Sequence, residues 1–89
     1  MKAIVTVVGK DRVGIIAGVC NALAEQNINV LDIRQTVMQG YFTMMMIVDT
    51  AAAELPLAEL CARMEEKGKD MGLSIRMQRE DIFDAMHRI

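Results

Sequence analysis

Aromatic side chains are scarce: the 89 residues include no tryptophan, one tyrosine and two phenylalanines. Tyr41 and Phe42 stand together, while the apolar run near the N-terminus has no ring at all. A sheet that stacks RNA bases wants aromatics on both of its central strands, so this composition counts against RNA recognition. Basic charge is lacking too. The formal net charge is -2, from 10 Lys and Arg against 12 Asp and Glu, without the cationic excess of a phosphate-backbone binder, so no direct nucleic-acid ligand is expected. Cys20 and Cys61 have no paired spacing, and each falls among apolar residues of a predicted helix, which suits free thiols in a reducing compartment. A carrier of heavy metals would place two cysteines in its first loop, and Gly9 to Gly14 contains neither. The single histidine, His87, stands near the C-terminus, and no Ser-His-Asp or Cys-His set assembles around it. No apolar run approaches membrane-spanning length. Met1-Lys2 leads straight into Ala3-Ile4-Val5-Thr6-Val7-Val8, too short for a signal-peptide core, so a cytoplasmic protein without membrane contact is expected.

The rest of the composition is that of an ordinary globular domain, 53% hydrophobic and 25% charged. A chain of this length makes one domain with a modest core, and dimerisation is expected on that ground alone. Ala3 to Val8 is β-branched and apolar on both faces, as a central strand covered on both sides reads. Val13 to Gln26 predicts a helix with Ile16, Val19, Cys20 and Leu23 as its inward stripe. Ile28 to Met38 alternates, with Leu31, Ile33 and Val37 opposite Asp32, Arg34 and Thr36, which predicts an edge strand. Gln39-Gly40 makes a tight hairpin turn into Tyr41 to Asp49, where Phe42, Met44, Met46 and Val48 oppose Met45 and Ile47, a second central strand.

After a loop over Thr50 to Glu54, Pro56 fits a first helical position, and Leu57, Leu60, Cys61, Met64 and Met71 recur at helical spacing. Gly68 and Gly72 weaken and then end this helix. Leu73 to Arg79 alternates once more, as a second edge strand. The order β-α-β-β-α-β, with first and third strands central, predicts an α+β ferredoxin-like sandwich of sheet order 4-1-3-2. Right-handed crossovers put both helices on one face. The other face still carries Met45, Ile47 and one side of the first strand. Residues 80–89 read as an amphipathic tail, with Ile82, Phe83, Met86 and Ile89 at helical spacing; a short C-terminal helix and a second subunit are both expected to help cover that face, with the tail able to cross to the partner.

Chemistry concentrates in Val8-Gly9-Lys10-Asp11-Arg12-Val13-Gly14-Ile15-Ile16, a charged loop with two glycines leading into a helix. Backbone N–H groups at such a helix start are suited to an anion or a carboxylate. Asp11 occupies an N-cap position, able to accept from the amides of Val13 and Gly14, or to meet a ligand ammonium. Gly14 lets a ligand or another subunit approach the backbone closely. Arg12 suits a carboxylate or phosphate, although a lone loop arginine is usually solvated. Asn27 and Asn29 bracket the start of the second strand, where asparagine commonly serves turns; a ligand role there requires a neighbour's glycine loop opposite. Met44-Met45-Met46 offers soft sulfur ligands, but consecutive strand residues point to opposite faces, so these are packing residues and no metal or cofactor is expected.

Gly9-Lys10-Asp11-Arg12-Val13-Gly14-Ile15, followed by Asn27-Ile28-Asn29-Val30, resembles the ACT domain, the small-molecule-sensing module of amino-acid metabolism. The resemblance covers residues 2–79. It is closest to the free-standing bacterial ACT proteins, which are similar to the ACT units of the glycine-cleavage-system repressor, and the ending Gln78 to Ile89 looks like their tail. It implies a non-enzymatic homodimer that binds an amino acid or small carboxylate between one subunit's first loop and helix and the other's second strand, and signals through a regulator or metabolic enzyme. On this resemblance Gly14 takes the family glycine's position, with Val13, where many ACT sequences have proline, and Ile15 on either side. Asp11 and Arg12 fall on the loop, and Asn27, Asn29 and Val30 on the segment leading into the second strand. Two other readings share the fold. One is a ligand-free interaction or dimerisation module; the other is an acylphosphatase-like enzyme, for which Arg12 and Asn27 or Asn29 would serve a phosphate cradle.

Overall fold

The computed structural model of the chain describes residues 1–81. Its elements are β1 (Lys2–Lys10), α1 (Ile15–Glu25), β2 (Asn29–Met38), β3 (Tyr41–Asp49), α2 (Leu57–Asp70) and β4 (Ser74–Arg79). They build one sheet of order β2-β3-β1-β4, every neighbouring pair antiparallel. This is the expected ferredoxin-like arrangement, with two central and two edge strands. The expected tail helix and His87 lie outside the described residues, apart from the helical start at Glu80 and Asp81.

Directly paired residues of an antiparallel sheet share a face, so the register sorts the side chains into rows. Ala3, Val5 and Val7 pair with Val48, Met46 and Met44, all fully buried, and with Val19, Leu23, Leu60, Met64 and Ile75 they make the core beneath both helices. Burying one such side chain contributes roughly 1.5–3 kcal/mol, which is why the two central strands alternate so strictly. Gln39 (φ 50) and Gly40 (φ 83) both adopt the left-handed conformation, the type I′ geometry that matches strand twist in a two-residue hairpin.

Four details depart from the expected pattern. The inward stripe of α1 is Ile15, Val19, Ala22 and Leu23, while Ile16 is partly exposed and Cys20 half-buried. Only Asn21 and Glu25 are polar in this helix, so apolar periodicity alone leaves its rotation loosely specified. In β2 a bulge between Val30 and Asp32 sets Val30 beside Val48 and Ile33 beside Met46, so residues three apart share the helix side, and Leu31 leaves the row assigned to it. Pro56 stands just before α2, with φ -65 and ψ 156, and its carbonyl accepts from the amides of Glu59 and Leu60. Gly68 is a packing contact rather than a weak point: a Cβ there would lie 2.9 Å from the Leu73 carbonyl oxygen and 2.9 Å from Ile75 Cγ1.

A candidate ligand site between the first loop and the second strand

Beyond Lys10 the chain crosses from sheet to helix through Asp11, Arg12, Val13 and Gly14. Backbone and side-chain bonds hold this crossing to two other parts of the fold. The Asp11 amide donates to the Gly40 carbonyl at 2.8 Å, fixing the loop beside the β2–β3 turn. The Arg12 guanidinium donates through Nη2 to the Met71 carbonyl at the end of α2. Arg12 is therefore a strut between the loop and the α2–β4 corner, rather than a freely solvated cation.

Gly14 immediately precedes α1 with φ 93 and ψ 0, a left-handed shape that costs a residue with a Cβ roughly 1–2 kcal/mol. Its carbonyl accepts the first helical bond, from the Gly18 amide at 2.9 Å. The amides of Ile15, Ile16 and Ala17 come before that bond, and no side chain caps them. Asp11 does not act as the N-cap, because the turn at Gly14 sets the helix start three residues further along. The space above Gly14 is open, with no atom within 4 Å of where a Cβ would stand.

That space belongs to a surface depression of about 310 Å³. Asp11, Arg12 and Gly14 to Ala17 form one wall, and Gln35, Val37 and Phe42 form the other. Its volume lies at the small end of ligand-sized sites, which run from ~300 to 1,000 Å³. One wall offers helix amides at the positive end of a helix dipole, and the other is apolar but for the Gln35 amide. The arrangement suits a compact ligand with an anionic head and a short tail.

A sequence profile described as the ACT domain matches residues 2–78. The chain belongs to the ACT domain family. A UPF0237 protein of Bifidobacterium longum is 57% identical over 88 residues, 99% of this chain and 98% of its own length. Among solved structures, an ACT domain protein from Streptococcus pneumoniae shares the fold with a TM-score of 0.84 at 44% identity, covering 98% of each chain. The regulatory subunit of aspartate kinase from Thermus thermophilus, in a ligand-free form, gives a TM-score of 0.66 at 26% identity, over 86% of this chain and 50% of that one.

Within this ACT domain the residues singled out by sequence divide into two groups. Asp11, Arg12, Gly14 and Ile15 line the depression, whereas the Val13 side chain is 98% exposed and stands outside it. Asn27, Asn29 and Val30 lie at the far end of α1, about 16 Å away for eleven residues of helix. Asn27 has φ 58 and follows the last turn of α1, the usual task of a left-handed helix stop. Asn29 pairs with Asp49 and Val30 with Val48 on the sheet. A phosphate cradle of Arg12 with either asparagine is thus not assembled within one protomer.

Gln35, Val37, Phe42, Ile16 and Ala17 also line the depression and were not among the predicted site residues. A signal for Gln35 existed: it is the polar member of a row that otherwise reads Ile33 and Val37. Among the described residues no group of three His, Cys, Asp or Glu side chains is placed to hold a metal ion. Met44 and Met46 are fully buried on one side of β3 and Met45 is exposed on the other, so the three sulfurs do not converge. No helix among the described residues is long and apolar enough to cross a membrane.

Proposed function

We propose that this ACT domain acts as a homodimeric, non-enzymatic sensor of an amino acid or comparable small carboxylate, controlling a regulator or enzyme of amino-acid metabolism. The observation that carries this reading is the left-handed Gly14, which opens uncapped helix amides onto a depression otherwise walled by Gln35, Val37 and Phe42. A carboxylate takes the amide end, and the remainder of the ligand meets β2. The likeness to a regulatory subunit of aspartate kinase supports control of amino-acid metabolism as the task. Two half-buried free thiols, Cys20 and Cys61, suit a reducing, cytoplasmic setting.

A second subunit completes the site in this reading. The outer edge of β2 has no strand partner among the described residues, and its helix side exposes Ile33 at 36% and Val37 at 54%. Joining two copies antiparallel about the midpoint of β2, Asn29–Met38, places the partner's Val30 opposite Val37 and the partner's Asn29 opposite Met38. Asn27, Asn29 and Val30, remote from Gly14 within one chain, then approach the depression of the other. The same exposed edge favours the second reading, a dimerisation module without ligand.

Calorimetric titration with a panel of amino acids beginning with glycine and serine, run beside sedimentation analysis, tests both. Saturable binding by a dimer supports the sensor. A stable dimer that binds none of the panel leaves the interaction module, and turnover of an acyl phosphate that vanishes in Arg12→Ala would replace both with an enzyme.

A further inference from the structure

On the sheet face turned away from α1 and α2, direct pairing sorts the half nearer the β2–β3 hairpin into three rows. Arg34, Met45, Thr6 and Arg76 form the first, running from β2 across to β4. Thr36, Thr43, Val8 and Ser74 form the second, and Met38, Tyr41 and Lys10 the third. This half is the open one: Val8 and Met45 are each 42% exposed, whereas Ile4, at the other end of β1, is 7% exposed. Every charged side chain in the three rows is basic. The two carboxylates that the strands place on this face, Asp32 and Asp49, stand beyond Met45 toward its other end. The chain as a whole carries a net charge of -2, and acidic residues gather in the opposite layer, where α2 sets Glu59, Glu65, Glu66 and Asp70 against Arg63, Lys67 and Lys69.

We propose that the hairpin half of this face is a docking surface for an acidic amphipathic helix of a partner protein. The inference is independent of any ligand at Gly14. Arg34 and Arg76 stand on the two outer strands, about 14 Å apart for three strand spacings. A helix with its side chains is roughly 10–12 Å across, so one fits between them along β3 and β1. Its apolar stripe meets Val8, Met45 and Tyr41, and carboxylates on either side of the stripe meet Arg34 and Arg76, with Lys10 at the hairpin end. Arg34 stands 3.8 Å from Asp32 with both side chains exposed, and a pair of that kind contributes at most about 1 kcal/mol, so it is readily exchanged for a partner's carboxylate.

Charge selects this occupant over others. A second copy laid over the same rows would bring cations toward cations, since those rows hold no carboxylate. A nucleic acid would meet the cations but find one ring, Tyr41, and only Thr6 and Val8 on the neighbouring β1, where bases would need to stack. Apolar side chains rimmed by polar ones mark a protein contact instead. The surface also adjoins the Gly14 loop, because Lys10 directly precedes Asp11, whose amide donates to the Gly40 carbonyl.

The test uses the full chain and a designed helical peptide with a leucine stripe flanked by glutamates, beside a counterpart with lysines in their place. Fluorescence anisotropy should show saturable binding of the acidic peptide that weakens with added salt, and amide shifts should centre on Thr6, Val8, Thr43 and Met45. Met45→Glu combined with Arg76→Glu, both away from the β2 edge, should weaken it several-fold with the circular dichroism unchanged; Arg76→Glu alone, a surface change, should act in the same direction. Equal binding of the lysine peptide, shifts centred elsewhere, or unaltered affinity in the folded variants overturns the proposal. So does a shift of the same amides with protein concentration alone, which would give the face to a second copy, or with a single-stranded RNA in place of the peptide.

Discussion

Gly14 holds a backbone shape that other residues adopt only under strain, in a place where a side chain has room. Gly14→Ala should therefore cost about 1 kcal/mol through the backbone, without a clash, and thermal melting measures it. Gly14→Leu should fill the depression and abolish amino-acid binding while the dimer stays folded; unchanged affinity by titration would remove the site. A different side chain sets a pH limit. The Cys61 thiol donates to the Met77 carbonyl at 3.1 Å, and burial, with the nearby Glu65 charge, raises its pKa above the ordinary 9.0. A folded pKa above the unfolded one means this contribution is complete below the unfolded value and fades as pH rises through the folded one. Urea midpoints of the wild type and Cys61→Ala should converge above pH 9, and a constant gap would refute the link. The roles of Asp11 and Arg12 were not legible beforehand. Asp11 is fixed through its backbone amide and Arg12 through its guanidinium, and both bonds depend on carbonyls distant in sequence, those of Gly40 and Met71.

Gly68 shows how a helix and a strand meet. Alanine in a helix interior is ordinarily about 1 kcal/mol better than glycine. Here the added methyl would press on the Leu73 carbonyl, which is backbone and cannot rotate aside. Gly68→Ala should lose roughly 1–3 kcal/mol by overpacking, read as a lowered melting temperature; a raised one would mean that the α2–β4 corner yields. Strand β3 was read correctly because period two and burial on one side coincide along its length. In α1 the pattern was degenerate, as a helix apolar on most sides buries whichever stripe the loop before it selects. The bulge at Leu31 left no local mark, because one unpaired residue changes only which partner each neighbour meets across the sheet.

Two copies joined at β2 would bury the exposed sides of Ile33 and Val37. Ile33→Asp sits on a partly exposed edge, so within one protomer it should cost only about 0.5 kcal/mol. In the dimer it would place a charge in the new core, and sedimentation should show monomers, with ligand affinity lost alongside. Dimers that survive would move the interface elsewhere. Alternation, turn chemistry and the order of the strands were enough to specify the ferredoxin-like sheet, since each of these follows from a residue's near neighbours and from the need to bury one side. The loop with Gly14 was readable for the same reason. The turning of α1 on its axis, the bulge, the bond from Arg12 to Met71 and the arrival of Gln35 beside Gly14 were settled only when the chain closed on itself, because each is a contact between segments that the linear order keeps apart.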